Sequence, residues 1–430
     1  MKRSKLVCVL PWWVGLALAA CSGGGAPPFA DAGVTDSAGV RMVANAGPLW
    51  NPGEEWLLTP EPLLRLGTLA DTPVVQQFHR IDAVTRLGDG TVVVLNAGSG
   101  ELRAFSASGT HLWSAGGLGQ GPGEISGGGR KSLWRLPGDT LLVRSGLYRI
   151  TRGPGGELVD HSREESVMLG NCARMFVPGL VERHVACGNI RRSGTPGPWV
   201  FENTVLRVDS AQERVDTIAT FFREDGWRGR DAASDINVDI QSPLGPKGTL
   251  QYSRYEPKLV YARNDAYRFE FWDLSTGALS MVVERRTPRR ARTATEIALE
   301  VRWGMNPTGV RAELRADDHR FSVADSLSIV ESFFLDPLGV LWVRRAPSPS
   351  EGDEGILREV FSPETGEKIG DVRLPSGLHD VFRPDGVYLG TVKLPHDLRE
   401  VEIGPDYVLG VARDELGMEH VRVYGLDRGR

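Results

Sequence analysis

Histidine and cysteine are scarce in this chain, at 8 and 4 in 430 residues. So few thiols exclude a disulfide-dense scaffold. No histidine stands in a His-Glu-x-x-His pair or in a Cys/His zinc spacing, so no metal or other cofactor is expected. A Gly-x-Ser-x-Gly elbow is also missing, which removes the commonest sign of a serine hydrolase. The run Gly117-x-Gly119-x-Gly121-x-Gly123 has neither a following helix nor the Gly-Lys-Ser or Gly-Lys-Thr step of a phosphate loop, and reads as a turn between strands. Past residue 20 no apolar run approaches the roughly 20 residues that a membrane-spanning helix needs. Positive charge is not in excess either, with 50 basic against 55 acidic groups, so nucleic acid is not expected as a partner.

What is plentiful is reversal. Gly 52 and Pro 27 accompany a 41% hydrophobic content, which means frequent turns with enough apolar material left for a core. The first twenty residues differ from the rest: Lys2, Arg3 and Lys5 precede an apolar stretch from Leu6 to Ala20 that is broken by Pro11. That layout is a signal peptide, residues 1–20. Leu18-Ala19-Ala20-Cys21 resembles the lipobox of bacterial lipoproteins, and the resemblance implies that Cys21 becomes the lipid-bearing first residue of the mature chain. Ser22, standing where an Asp would favour retention at the inner membrane, implies sorting to the outer membrane. Residues 21–38 are rich in Gly, Ala and Pro and read as a tether, leaving 39–430 as the folded domain.

Within that domain short apolar runs alternate with Gly, Pro and Asp turns, and helical periodicity is nearly absent. One kind of hairpin has a tight turn followed by an almost unbroken apolar strand, as at 86–95, 135–143, 335–343 and 403–411, the pattern of a strand covered on both faces. A second kind alternates apolar and polar residues, as at 102–113, 205–218 and 267–279, so that one face is wet. One hairpin of each kind makes a four-stranded antiparallel sheet, and repetition of such sheets predicts a β-propeller. First-kind turns at Gly88, Gly138, Gly179, Asn264, Gly339 and Gly404 give six blades. A capping box at Thr293 and Glu296 predicts one short helical excursion over 293–303. The segments 360–375 and 381–395 repeat each other and read as a duplicated outer hairpin, which leaves room for a seventh blade or an extra edge hairpin.

Two segments carry a family resemblance. Residues 98–105 with 116–124, ending Gly121-Pro122-Gly123-Glu124, resemble the first blade of six-bladed NHL-like propeller lipoproteins, although Ile125 replaces their usual aromatic residue. Residues 406–424 resemble the last blade of that group. The resemblance implies the fold and an extracytoplasmic location, and little chemistry, because a fold does not fix a function.

Candidate functional residues are correspondingly few. Cys172 and Cys187 flank a predicted turn at Pro178 and Gly179, where either a cross-strand disulfide or two buried thiols would fit; the disulfide would stabilise by about 3 kcal/mol. Asp82, Lys131, Glu331 and Glu400 lie upstream of first-kind turns and are candidates to line the central channel. Their mixed charges do not make a calcium site. The run Arg285, Arg286, Arg289, Arg290, Arg292 reads as a solvated loop. The leading expectation is a non-catalytic binding scaffold for a protein, peptide or glycan, with the membrane as a second partner through Cys21. The alternative is a propeller enzyme of the metal-dependent esterase, lactonase or lyase type, with its site at the channel.

Overall fold

The computed structural model describes residues 33–67, 73–129, 131–146, 148–163, 172–175, 183–193, 197–209, 214–230, 237–242, 245–291, 326–327, 329–361, 366–414 and 416–429. The chain is a nearly all-β, six-bladed propeller of mainly antiparallel four-stranded sheets. The first blade shows why the sequence folds this way. Its innermost strand Ile81–Arg86 turns into Val92–Asn96, whose residues are all buried, then into Glu101–Phe105, and ends in His111–Gly116, where half-buried and exposed residues alternate. An unbroken apolar strand is thus sandwiched between blades, while alternation marks the outer rim.

The second blade runs from Lys131–Arg135 to Leu158–Arg163, the third from Cys172–Met175 to Asn237–Gln241, and the fourth from Gly248–Tyr252 to Ala278–Arg285. In the fifth, Val330–Leu335 and Leu341–Arg345 pair on to Leu378–Phe382 and Tyr388–Lys393. The sixth has Arg399–Ile403, Tyr407–Arg413 and Glu419–Asp427. The buried apolar side chains gather between neighbouring blades. Val94 and Phe105 of the first blade pack with Leu409 and Val421 of the sixth, and Phe269 and Val283 of the fourth pack with Phe333 and Phe382 of the fifth. Each blade therefore hides its faces only against the next.

The ring is closed by its own N-terminal segment. Gly33–Ser37, which composition assigns to the tether, is a strand; it pairs with Val40–Asn45, which runs parallel to Ala278–Arg285 on the rim of the fourth blade. The Leu49 and Trp50 N–H groups then donate to Tyr388 and Leu389 carbonyls of the fifth blade, at 3.0 and 2.8 Å. Leu57–Leu58 and Leu64–Leu66 complete the sixth blade against Glu419–Asp427. Asn45 joins two of these contacts, accepting the Tyr388 N–H at 2.8 Å and donating to the Gly386 carbonyl at 3.1 Å. The Trp50 ring lies so close to Gly390 that a Cβ there would meet it at 2.5 Å, and the backbone of Gly390 is at φ +153°. That position requires glycine.

Three expectations need correction. Asn264 marks the turn after Lys258–Arg263, not the innermost turn of the fourth blade, which is 253–257. Residues 356–374 are not a blade hairpin but a separate two-stranded ribbon, Ile356–Phe361 with Lys368–Leu374, inserted between the second and third strands of the fifth blade. Arg285 is not in a solvated loop: it ends a strand and donates to Asp380 at 2.7 Å and to Glu351 at 3.3 Å. Asp380, fully buried, also accepts from Tyr267, Tyr388 and Thr391, so this cluster ties the fourth blade to the fifth. Gly179 and the expected helix at 293–303 lie outside the described residues.

Candidate functional site

Because successive strands reverse, every innermost turn lies at one end of the ring. These turns are short: 87–91, 136–140, 253–257, 336–340 and 404–406 among the described residues. The elaborations lie at the other end. The strands Arg183–Arg192 and Gly197–Asp209 run on past the Cys172 and Cys187 pair, and the ribbon in the fifth blade leaves from that end as well.

At the short-turn end a cavity of about 190 Å³ opens between the innermost strands of the first, fourth, fifth and sixth blades. The segments 251–255 of the fourth blade and 332–335 of the fifth supply most of its wall. The fourth-blade turn needs no glycine because the buried Ser253 hydroxyl accepts the N–H groups of Tyr255 at 3.2 Å and Glu256 at 3.1 Å, and Pro257 follows. This rigid turn holds Tyr255 within electrostatic reach of Glu402, Asp336 and Arg135, which belong to the sixth, fifth and second blades. Tyr255 is one of the residues that line the cavity.

The polar groups around the cavity are incompletely used. Crowding by protein atoms pushes the Tyr252 phenol above its ordinary pKa, and its buried hydroxyl has no hydrogen-bond partner. The Tyr255 phenol is raised as well, by desolvation first and then by Glu402, so both remain neutral donors near pH 7. Arg254 is exposed and forms no hydrogen bond or ion pair among the described residues. Buried Glu402, in contrast, accepts the Tyr407 hydroxyl at 2.7 Å and the Arg86 N–H at 3.1 Å, both on Oε1. The Arg86 guanidinium lies 4.5 Å over the Tyr407 ring and holds that phenol in place.

The residues singled out in the sequence are placed differently. Asp82, Lys131, Glu331 and Glu400 all fall on innermost strands, at or near their first residue, toward the end away from the short turns. Only the first two meet: Asp82 accepts the Lys131 N–H at 2.9 Å. The Lys131 ammonium, almost fully buried, donates to the Gly129 and Gly127 carbonyls at 3.0 and 3.3 Å, and burial lowers its pKa. Glu331 faces Arg344 at 3.6 Å instead. The side chain of Glu400 lies outside the described side chains, and the cavity takes Glu402 from the same strand. The sequence pattern does not mark the cavity residues, because 251–255 has no Gly or Asp to flag a turn. A serine followed by an exposed Arg-Tyr step and a proline was the available signal.

The Gly-Pro-Gly-Glu motif is structural. Gly123 has φ +78°, its carbonyl accepts the buried Arg152 guanidinium at 2.7 Å, and Glu124 closes the loop on the Gly121 N–H at 2.8 Å. Ile125, in the place of the usual aromatic residue, is fully buried between the first and second blades. The backbone register sets Cys172 opposite Cys187, and Cys187 is disulfide-bonded; the Cys172 side chain lies outside the described side chains. Cys21 lies outside the described residues. Among the described residues no three of His, Cys, Asp and Glu come together in a way that would hold a metal ion.

No protein-family model and no curated protein matches the chain. Solved structures resemble it in shape. A member of the DUF4221 family from Bacteroides vulgatus shares 10% identity over 87% of this chain and 99% of its own, with a TM-score of 0.44. The calcium-binding protein regucalcin from Agrobacterium tumefaciens shares 14% over 87% and 96%, with a TM-score of 0.34. Streptogramin B lyase shares 8% over 86% and 97%, with a TM-score of 0.35. At these distances none of the three carries its activity over to this chain.

Proposed function

We propose that this protein is a lipoprotein of the bacterial cell envelope, sorted to the outer membrane, whose propeller is a non-catalytic scaffold that binds a protein, peptide or glycan at the short-turn end of its channel. The observation that carries the reading is the cavity there, whose wall includes Arg254, an exposed guanidinium with no ion-pair partner among the described residues, beside Tyr252 and Tyr255. The envelope location rests on Leu18-Ala19-Ala20-Cys21, and the folded part begins by residue 33, a short reach from the lipid. We further propose Cys172 as the partner in the disulfide of Cys187, a bond suited to an oxidising compartment.

Cell fractionation tests the anchor. Cys21→Ala should move the protein from the membrane to the soluble fraction, and unchanged membrane retention would refute lipid anchoring. For the scaffold, the decisive measurement is on the purified protein. Calcium that is released together with a hydrolytic activity on esters or lactones would replace the scaffold reading with an enzyme.

A further inference from the structure

We infer that the channel cavity takes an organic primary ammonium, its N–H groups donating to the Glu402 carboxylate and its carbon stem lying against Phe334 and Tyr255, an assignment that rests on the reading of this cavity as the ligand site. Glu402 is 8% exposed and lines the cavity from the sixth blade. Its Oε1 accepts the Tyr407 hydroxyl at 2.7 Å and the Arg86 N–H at 3.1 Å, which hold the carboxylate in place. Its Oε2 has no hydrogen-bond partner among the described residues and is not sealed in the protein interior, so it opens on the cavity that Glu402 lines. No cation pairs with it among the described residues: Arg86, which reaches Glu402 through its backbone, points its guanidinium at Asp406, 3.4 Å away. A buried carboxylate without a counter-charge is costly, and an ammonium supplies both the missing charge and the missing donor.

The rest of the wall limits what the ammonium is attached to. A volume of about 190 Å³ admits a single ring or a short aliphatic stem, and Val84, Phe334, Leu335 and Ile403 make much of the wall apolar. Phe334 and Tyr255 add aromatic rings, which attract a cation. The Gln251 amide and the Ser332 hydroxyl on the same wall are acceptors for further N–H groups. Arg254 opposes a cation, but it is exposed and its charge is screened by water and salt, whereas the charge of buried Glu402 is not. The buried charge therefore sets the preference. An anion would meet Glu402 in a partly desolvated space, and an alcohol would bring a donor without the charge. A lysine side chain of a peptide and a free amine both present the group required.

Ligand-observed fluorine NMR with 4-fluorobenzylamine, 4-fluorobenzyl alcohol and 4-fluorobenzoate tests the assignment on the mature full-length protein. The amine should bind at least about tenfold more tightly than either relative. Glu402→Gln keeps an oxygen for the Tyr407 hydroxyl and the Arg86 N–H, and should weaken the amine by about tenfold or more. Arg254→Ala should leave amine binding unchanged or tighten it by less than about threefold. The comparison of amine with alcohol uses the unaltered protein, so it decides the matter even where Glu402→Gln fails to fold. Displacement of the bound amine by Nα-acetyl-lysine methylamide would assign the ammonium to a lysine side chain, and failure to displace it would assign a free amine. If the alcohol or the benzoate binds as tightly as the amine, the ammonium assignment falls, and loss of that binding in Tyr255→Ala would leave the cavity standing as a ligand site. Amine binding that is indifferent to Glu402→Gln also overturns the assignment. If none of the probes binds, the assignment falls together with the cavity reading.

Discussion

The two halves of the ring are held in different ways. The fourth, fifth and sixth blades are belted: residues 33–66 run along their rims and hydrogen-bond to each in turn. Behind that belt lies the buried Asp380 cluster with Arg285, Arg345 and Glu351. Among the described residues the first, second and third blades have no such cover. The outer strand Leu158–Arg163 of the second blade is largely exposed, and the third relies on long strands and a disulfide near its inner edge. One half is stabilised by contacts between distant parts of the chain, the other by pairing between neighbours in sequence. The cavity sits where the belted half meets the first blade.

Breaking the belted half at its charged centre should cost most. Asp380→Ala leaves two buried guanidinium groups facing Glu351 alone and should lower unfolding free energy by about 3–5 kcal/mol in chemical denaturation. A loss below about 1 kcal/mol would mean that the cluster is not what joins these blades. Next comes the disulfide of the other half. Cys187→Ser should cost about 3 kcal/mol, and alkylation of the unreduced wild type should leave the Cys172 and Cys187 thiols unlabelled. Labelling of both in freshly isolated protein would remove the staple from the comparison.

A smaller effect should appear between pH 7 and pH 5, carried by a histidine of the belted half. His379 is buried in the fifth blade with its Nδ1 2.9 Å from the Gly377 carbonyl, and desolvation, aided by Arg344, lowers its pKa to about 4. The unfolded chain, with an ordinary value near 6.5, then binds more protons than the folded one as the pH falls. This contribution is therefore intact above about pH 6.5 and shrinks by about 2 kcal/mol between pH 7 and pH 5. His379→Gln should flatten that slope while Cys187→Ser leaves it unchanged. The smallest expected change has the opposite sign: Tyr252→Phe removes an unpaired buried hydroxyl and should stabilise the ligand-free protein by about 1 kcal/mol. A loss of stability instead would show that the hydroxyl serves the fold.

The readable parts of the fold were those written in neighbouring residues. Gly138 at φ 72° and Gly339 at φ 74° mark innermost turns because the backbone there adopts a conformation that only glycine enters freely, and the strands after them open with three buried apolar residues. The turn 253–257 uses a serine hydroxyl to the same end, so the sequence pattern points to Asn264 and leaves the cavity wall unmarked. The belt was hidden for another reason. Leu64–Leu66 alternates buried and exposed residues but is only three residues long, and the partners of Leu64–Leu66 and Val40–Asn45 are strands far along the chain. Arg285 looked like one member of a basic run, and only the packing of the fifth blade against the fourth brings Asp380 to it.

The pairing of Leu64–Leu66 with Val421–Val423 also bears on the order of folding. Leu64–Leu66 is made long before Val421–Val423, so the ring cannot close until the sixth blade has been made. Contacts so distant in sequence carry a large loop-closure entropy, so closure is expected late in folding. A chain truncated before Glu419–Asp427 would keep its other blades and still present the apolar edge of Leu64 and Leu66 to solvent, open to pairing with any free strand edge.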